Sequence, residues 1–207
     1  MIEVEIITKD PLYNLKDMNC ITMNKRAKKS NKMLEQPKDK NEVYEYYMDK
    51  FIARHSTAEI IQIKVVDDDC RGDIASHIVR HTKSHPRFAV GSCRPDWNNG
   101  KKRKPLDEEY KEFGSVWNVI AFQEMAAQRL CYRAASYTRK WAIDLLKTMD
   151  ESGDPLLMAI SMTCVPNCIR YAGCIEGTKT CGKPLPETMI TNIRKRMEDY
   201  HRELMGE

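Results

Sequence analysis

No run of about 18 apolar residues occurs anywhere in the 207-residue chain, so no membrane-spanning helix is expected. Net charge is scarce too. The 34 Lys and Arg against 30 Asp and Glu leave +4 with neutral histidines, too mild for a dedicated nucleic-acid binder. Glycine and proline number nine each and nowhere gather with serine into a linker, so one domain over residues 1–207 is expected. Met1 to Thr8 alternates acidic and apolar residues where a signal peptide would carry a basic patch and an apolar stretch. A cytoplasmic setting is therefore expected, in which the eight cysteines are reduced thiols and not a disulfide scaffold.

What is present suffices for a core: 42% hydrophobic and 31% charged residues exclude global disorder. Ile2, Val4 and Ile6 alternate with Glu3 and Glu5, the period of a half-buried strand. Ile61, Ile63 and Val65 predict a second strand over 59–66, ended by the acidic run Asp67 to Asp69. Val43, Tyr46, Tyr47 and Phe51 recur at helical spacing and predict a helix over 41–53, with Asn41 near its cap. Gly72 and Asp73 lead into a helix as far as Lys83, after which Pro86 opens a loop over 84–97. Ser115 to Met149 holds no Gly or Pro and predicts one long central helix; a further helix is expected over 187–204. Residues 24–40 and 98–112 read as charged connectors, the first strongly basic. The chain is thus expected to be α+β, with a small mixed or antiparallel sheet packed against several helices.

The densest chemistry lies in His77, Arg80, His81, His85, Arg87, Ser92 and Arg94. Imidazole, guanidinium and hydroxyl groups suit phosphate oxygens and a pyrimidine edge, although a solvated basic helix end would use the same residues. His77 and His81 have the spacing of a zinc pair, but Ile78 stands where the metalloprotease pattern needs Glu, and no third ligand is evident. Cys164, Cys168, Cys174 and Cys181 form a cysteine-rich segment over 164–182, in which only the first two fall at zinc-ligand spacing. Reduced thiols, a structural zinc and a labile disulfide all remain open there. Arg129 and Arg133 lie one helical turn apart among Met125, Ala126, Leu130 and Ala134, with Arg139 beyond. Such arginines are costly to bury unless they meet anions, as a nucleotide phosphate or surface salt bridges would provide.

Four stretches, in order, resemble the flavin-dependent thymidylate synthases. RHSTAE, with Ser56 and Glu59, is similar to the family's flavin-contacting segment, and SHIVRHT, with Arg80 and His81, to the start of its Arg-His-Arg signature. SCR, with Ser92 and Arg94, resembles the Ser-x-Arg that holds the nucleotide; Asn118 precedes Arg129 by the family's spacing, and RLCYRAASYTR follows. The resemblance implies methylation of dUMP to dTMP at carbon 5, with FAD as cofactor, methylenetetrahydrofolate as carbon donor and NADPH as reductant. It implies Arg129 as the catalytic cation, His77, Ser92, Arg94 and Arg129 around the pyrimidine deoxynucleotide monophosphate, and Ser56, Glu59, Arg80, His81 and Asn118 around FAD. It also implies a homotetramer with active sites shared between subunits. Thr82 replaces the third signature residue, an Arg, and His77 replaces a substrate-facing Gln. These departures admit dCMP as substrate, a hydroxymethyl product, or a nucleotide-binding module without catalysis.

Overall fold

The structure is a computed structural model that describes residues 1–22, 39–80, 86–90, 104–183 and 192–206. It is α+β: a four-stranded antiparallel sheet with eight α-helices among the described residues. The strands are β1 (Ile2–Ile6), β2 (Gln62–Arg71), β3 (Arg87–Val90) and β4 (Tyr110–Asn118), in the order β1-β2-β4-β3. Val4 pairs with Val65, Val65 with Ser115, and Ala89 with Gly114.

The second strand runs past its expected end. Asp67 is buried, but its carboxylate accepts from Trp141 Nε1 at 2.8 Å, and the backbone N–H of Asp68 reaches the Met1 carbonyl at 3.2 Å. With those polar groups partnered, the acidic run continues as strand through a bulge between Asp67 and Cys70, where Asp69 N bonds to Asp67 Oδ1.

The helices are α1 (Pro11–Thr22), α2 (Lys40–Ile52), α3 (Gly72–Arg80), α4 (Val119–Arg129), α5 (Ser136–Glu151), α6 (Pro155–Thr163), α7 (Asn167–Tyr171) and α8 (Ile193–Met205). Asp39 and not Asn41 caps α2, accepting from Glu42 N, and Asp154 caps α6 before a proline in its first turn. The expected single helix over 115–149 is instead the end of β4, then α4, a turn, and α5. Phe113, Ser115 and Trp117 alternate inward as strand, and Asn118 turns the chain into helix by accepting from Ala121 N at 2.8 Å. The expected loop over 84–97 contains β3, and β4 grows out of the supposed connector 98–112. Basic segment 24–40 lies outside the described residues except at Asp39 and Lys40.

Leu15, Phe51, Phe113, Trp117, Phe122 and Leu145 lie in one continuous core between sheet and helices. A polar bridge holds the 3-10 turn Ser56–Ile60 against it: Thr57 donates to Asn19, and Asn19 donates to Tyr46, each at 2.8 Å. Among the described residues, no helix is long and apolar enough to cross a membrane.

Candidate functional site

β2 passes directly into α3, so the helix's first residue must sit close to its neighbours. Gly72 N donates to Glu109 O at 2.7 Å and Asp73 N to Leu106 O at 3.1 Å. A Cβ on Gly72 would stand 3.0 Å from that Leu106 oxygen, which explains the glycine. Arg71 closes the junction by forking onto Asp73, Nε to Oδ1 at 2.7 Å and Nη2 to Oδ2 at 2.8 Å. Burial alone would raise the Asp73 carboxyl, but the bond and charge of Arg71 outweigh it and hold the carboxyl below its usual range.

The apolar face of α3, Ile74, Ala75 and Ile78, is buried, which leaves His77 half-buried and Arg80 exposed. His77 Nδ1 lies 2.9 Å from the hydroxyl of Thr138, a fully buried residue in the first turn of α5. Its ring stacks on Tyr137 with centroids 5.6 Å apart, and the Arg71 guanidinium lies 4.1 Å from the same Tyr137 ring. The imidazole is thereby held at its Nδ1 edge by one hydroxyl and on one face by the Tyr137 ring.

α4 approaches from the other end of the sheet. β2 and β4 pair from Gln62–Asn118 to Arg71–Tyr110, a span of roughly 30 Å at 3.3 Å per residue. α3 starts at one end of that ladder and α4 at the other, and at 1.5 Å per residue their lengths are about 13 and 16 Å. The last turn of α4 reaches α3 where Arg129 Nη2 donates to the backbone oxygen of His77. Burial pushes the Arg129 pKa down, and its Nε has no hydrogen-bond partner among the described residues. No carboxylate pairs with it among them. Arg170 shows the contrasting solution: it is buried with Nη1 and Nη2 on the carbonyls of Ile52 and Thr163, the orphan acceptors at the ends of α2 and α6.

Arg129 opens onto a cleft of about 730 Å³, a volume typical of small-molecule and cofactor sites. One wall continues through Tyr132 and Arg133. The facing wall is the cysteine-rich segment, with Cys168, Cys174, Cys181 and Lys183, and Tyr200 of α8 beside it. Tyr132 is held between cations, with Arg139 4.3 Å and Lys183 3.6 Å from its ring, and donates to Glu203 at 3.0 Å. Cys164 is buried away from solvent, whereas Cys174 and Cys181 are exposed. Among the described residues, no group of three or more His, Cys, Asp or Glu is placed to hold a metal.

The expected residues thus fall in two places. Arg129 lines the cleft and bonds the backbone oxygen of His77, which is not itself among the cleft-lining residues. Ser56 and Glu59, both exposed, lie on the 3-10 turn at the Asn118 end of the ladder, where that turn packs against α4. Asn118 uses its carbonyl oxygen as the helix cap. His81, Ser92 and Arg94 lie outside the described residues. Sequence reasoning missed Tyr137 and Thr138 as the groups that orient His77, and Tyr132 and Lys183 as parts of the cleft. Tyr132 sits within the stretch around Arg129, but nothing in the sequence links that stretch to residues 168–183 across the cleft. The chain matches none of the protein-family models and none of the curated proteins with which it was compared.

Proposed function

We propose that the protein is a flavin-dependent enzyme that modifies carbon 5 of a pyrimidine deoxynucleotide, converting dUMP to dTMP with methylenetetrahydrofolate as carbon donor. The observation that carries this reading is Arg129: a desolvated guanidinium, without a carboxylate partner among the described residues, at the edge of a ligand-sized cleft and bonded to His77. A cation kept uncompensated in this way favours an anion or a developing negative charge.

As carbon 5 becomes nucleophilic, charge accumulates on the pyrimidine carbonyls, and Arg129 stabilises it with donors left over from the His77 bond. His77 meets the ring edge in an orientation set by Thr138 and Tyr137. Ser92 and Arg94 anchor the nucleotide phosphate. The donor set at the Asn118 end suits FAD: the exposed Ser56 hydroxyl and Glu59 carboxylate and the amide nitrogen that Asn118 does not use in its cap; the exposed Arg80, which with His81 completes the proposed FAD set, stands instead at the end of α3, three residues after His77. A carbon donated at the methylene level needs two further electrons to become methyl, and these FAD supplies once reduced by NADPH. Since α4 separates Asn118 from Arg129 by about 16 Å, a homotetramer would complete each site with the cofactor end of one subunit and the pyrimidine end of another.

A second reading is favoured by the His77 contact. A threonine hydroxyl either donates or accepts, so it supports both imidazole tautomers, and His77 can then face the 4-amino edge of dCMP as well as the 4-oxo edge of dUMP. The test is release of tritium from carbon 5 of labelled dUMP and dCMP, with FAD, NADPH and methylenetetrahydrofolate present. Release from dUMP is expected. Release from dCMP alone selects the second reading, and no release together with no retained flavin leaves a nucleotide-binding module.

A further inference from the structure

A second cavity, about 520 Å³, lies among α2, α5, α6 and α8, away from the Arg129 cleft and sharing no residue with it. Met158 and Met162 line it from one turn of α6, and His201 and Met205 line it from one turn of α8. Each pair has the four-residue spacing that places two side chains on one helix face. Behind the imidazole stands Asp150, at the end of α5, with its Oδ2 2.7 Å from His201 Nε2. A carboxylate only accepts, so Nε2 carries a proton, and in the neutral imidazole Nδ1 then presents a lone pair. The His201 side chain is 9% exposed, and Nδ1 has no hydrogen-bond partner among the described residues. A buried, unpartnered acceptor of this kind costs stability unless something binds it.

We propose that Met158, Met162, Met205 and His201 form a binding site for a soft monovalent metal ion, Cu(I) or its analogue Ag(I). Three thioethers and an imidazole are soft donors that select such an ion over Mg(II) or Ca(II). The Asp150–His201 bond is the arrangement by which an outer carboxylate fixes the tautomer and orientation of a metal-ligating histidine. Lys147, Glu151 and Arg202 also line the cavity, and Arg202 is paired with Asp199. Methionine often fills irregular gaps without any ligand, and that packing role is the rival outcome.

The test is an Ag(I) titration of the full chain, with accessible thiols first blocked by N-ethylmaleimide and the methionines labelled with carbon-13 at their methyl groups. The expected result is that the methyl signals of Met158, Met162 and Met205 shift together and saturate at one ion per chain, while the other methionines stay in place. Met158→Leu with Met162→Leu keeps the volume and removes two thioethers, and should abolish saturation without unfolding the protein. Asp150→Asn should weaken binding by roughly 10- to 100-fold. Signals that do not move, or that move equally across all 12 methionines, overturn the proposal. Binding unchanged in the double leucine variant, with its fold intact, overturns it as well. Because the readout involves neither nucleotide nor flavin, it is independent of the function proposed above.

Discussion

Arg129 donates from Nη2 to the backbone oxygen of His77, tying the last turn of α4 to the middle of α3. The acceptor is a neutral carbonyl, so the bond positions the guanidinium without neutralising it. A guanidinium has five N–H donors, and this contact consumes one of them. The arrangement therefore behaves as a held cation facing a cleft, which is a different thing from the buried Arg170 that closes two helix ends.

Replacing Arg129 with Met should separate function from stability. Removing a half-buried cation with no carboxylate partner recovers desolvation energy, while the His77 carbonyl loses one donor, so the folding free energy should stay within about 1 kcal/mol of wild type. Nucleotide binding should weaken by about 1.5–3 kcal/mol, the loss of charge-assisted hydrogen bonds. Where turnover is measurable, it should fall by roughly 10²- to 10³-fold. Thermal melts with and without dUMP report both quantities. A variant that unfolds outright while wild type shows no nucleotide-dependent stabilisation would make Arg129 a structural staple.

Asn118 can be tested for two roles with two substitutions. Its oxygen caps α4, so Asn118→Ala should cost about 0.5–2 kcal/mol. Aspartate caps as well as asparagine but lacks the amide N–H, so Asn118→Asp should keep the melting temperature and lose flavin retention, read from visible absorbance after free dye is removed. Equal flavin retention in Asn118→Asp and wild type would confine Asn118 to capping.

The period-two run Ile2 to Ile6 and the helical spacing of Val43 to Phe51 were legible because each element buries one face, and burial imposes its period on the sequence. The turn between α4 and α5 was not legible. It contains no Gly or Pro, and it is held by tertiary contacts: Arg139 Nε donates to Leu130 O, and Thr138 is drawn to His77. β2 outran its predicted end for a similar reason, since Trp141, 74 residues away, satisfies Asp67. At the candidate site, the closeness of His77 and Arg129 follows from two helices meeting over one sheet, and the cysteine-rich wall of the cleft is brought there by α7 and α8. Such closeness comes from topology, which residue spacing along a single chain does not encode.

Gly72→Ala should be destabilising even though the new methyl group is small. Its Cβ would meet a backbone oxygen at 3.0 Å, and that oxygen already accepts from Asp73 N, so the stitched turn has little room to yield. Overpacking of this kind costs about 1–3 kcal/mol. Because the strain enters at the first residue of α3, it should also displace His77 and reduce nucleotide binding more than a core Ile→Val change of equal cost. Urea melts and dUMP titrations of the two variants make the comparison; equal binding losses would show that α3 does not transmit the strain to the site.

Two buried thiols should make the protein lose stability in alkali. Burial, reinforced by the nearby Asp67 carboxylate, pushes Cys70 up from its ordinary 9.0 to about 12. Burial likewise pushes Cys164 to about 12, against the partial opposition of Arg170 and Arg54. Below pH 9 both thiols are protonated whether the chain is folded or unfolded, and this stability is fully present. Between about 9 and 12 the unfolded chain releases protons that the folded chain retains, so folding free energy should fall by about 1.4 kcal/mol per pH unit for each thiol. Urea melts from pH 8 to 10.5 should show a fall at least this steep, since burial also raises Tyr44, Tyr47 and Tyr200, and Cys164→Ala should remove the share of one thiol, after allowance for its cavity cost. The exposed Cys174 and Cys181 should react quickly with a thiol reagent in native protein, with Cys70 and Cys164 reacting only on unfolding. A flat profile over that range, or fast native reaction of Cys164, would mean that the thiol is not sealed within the core.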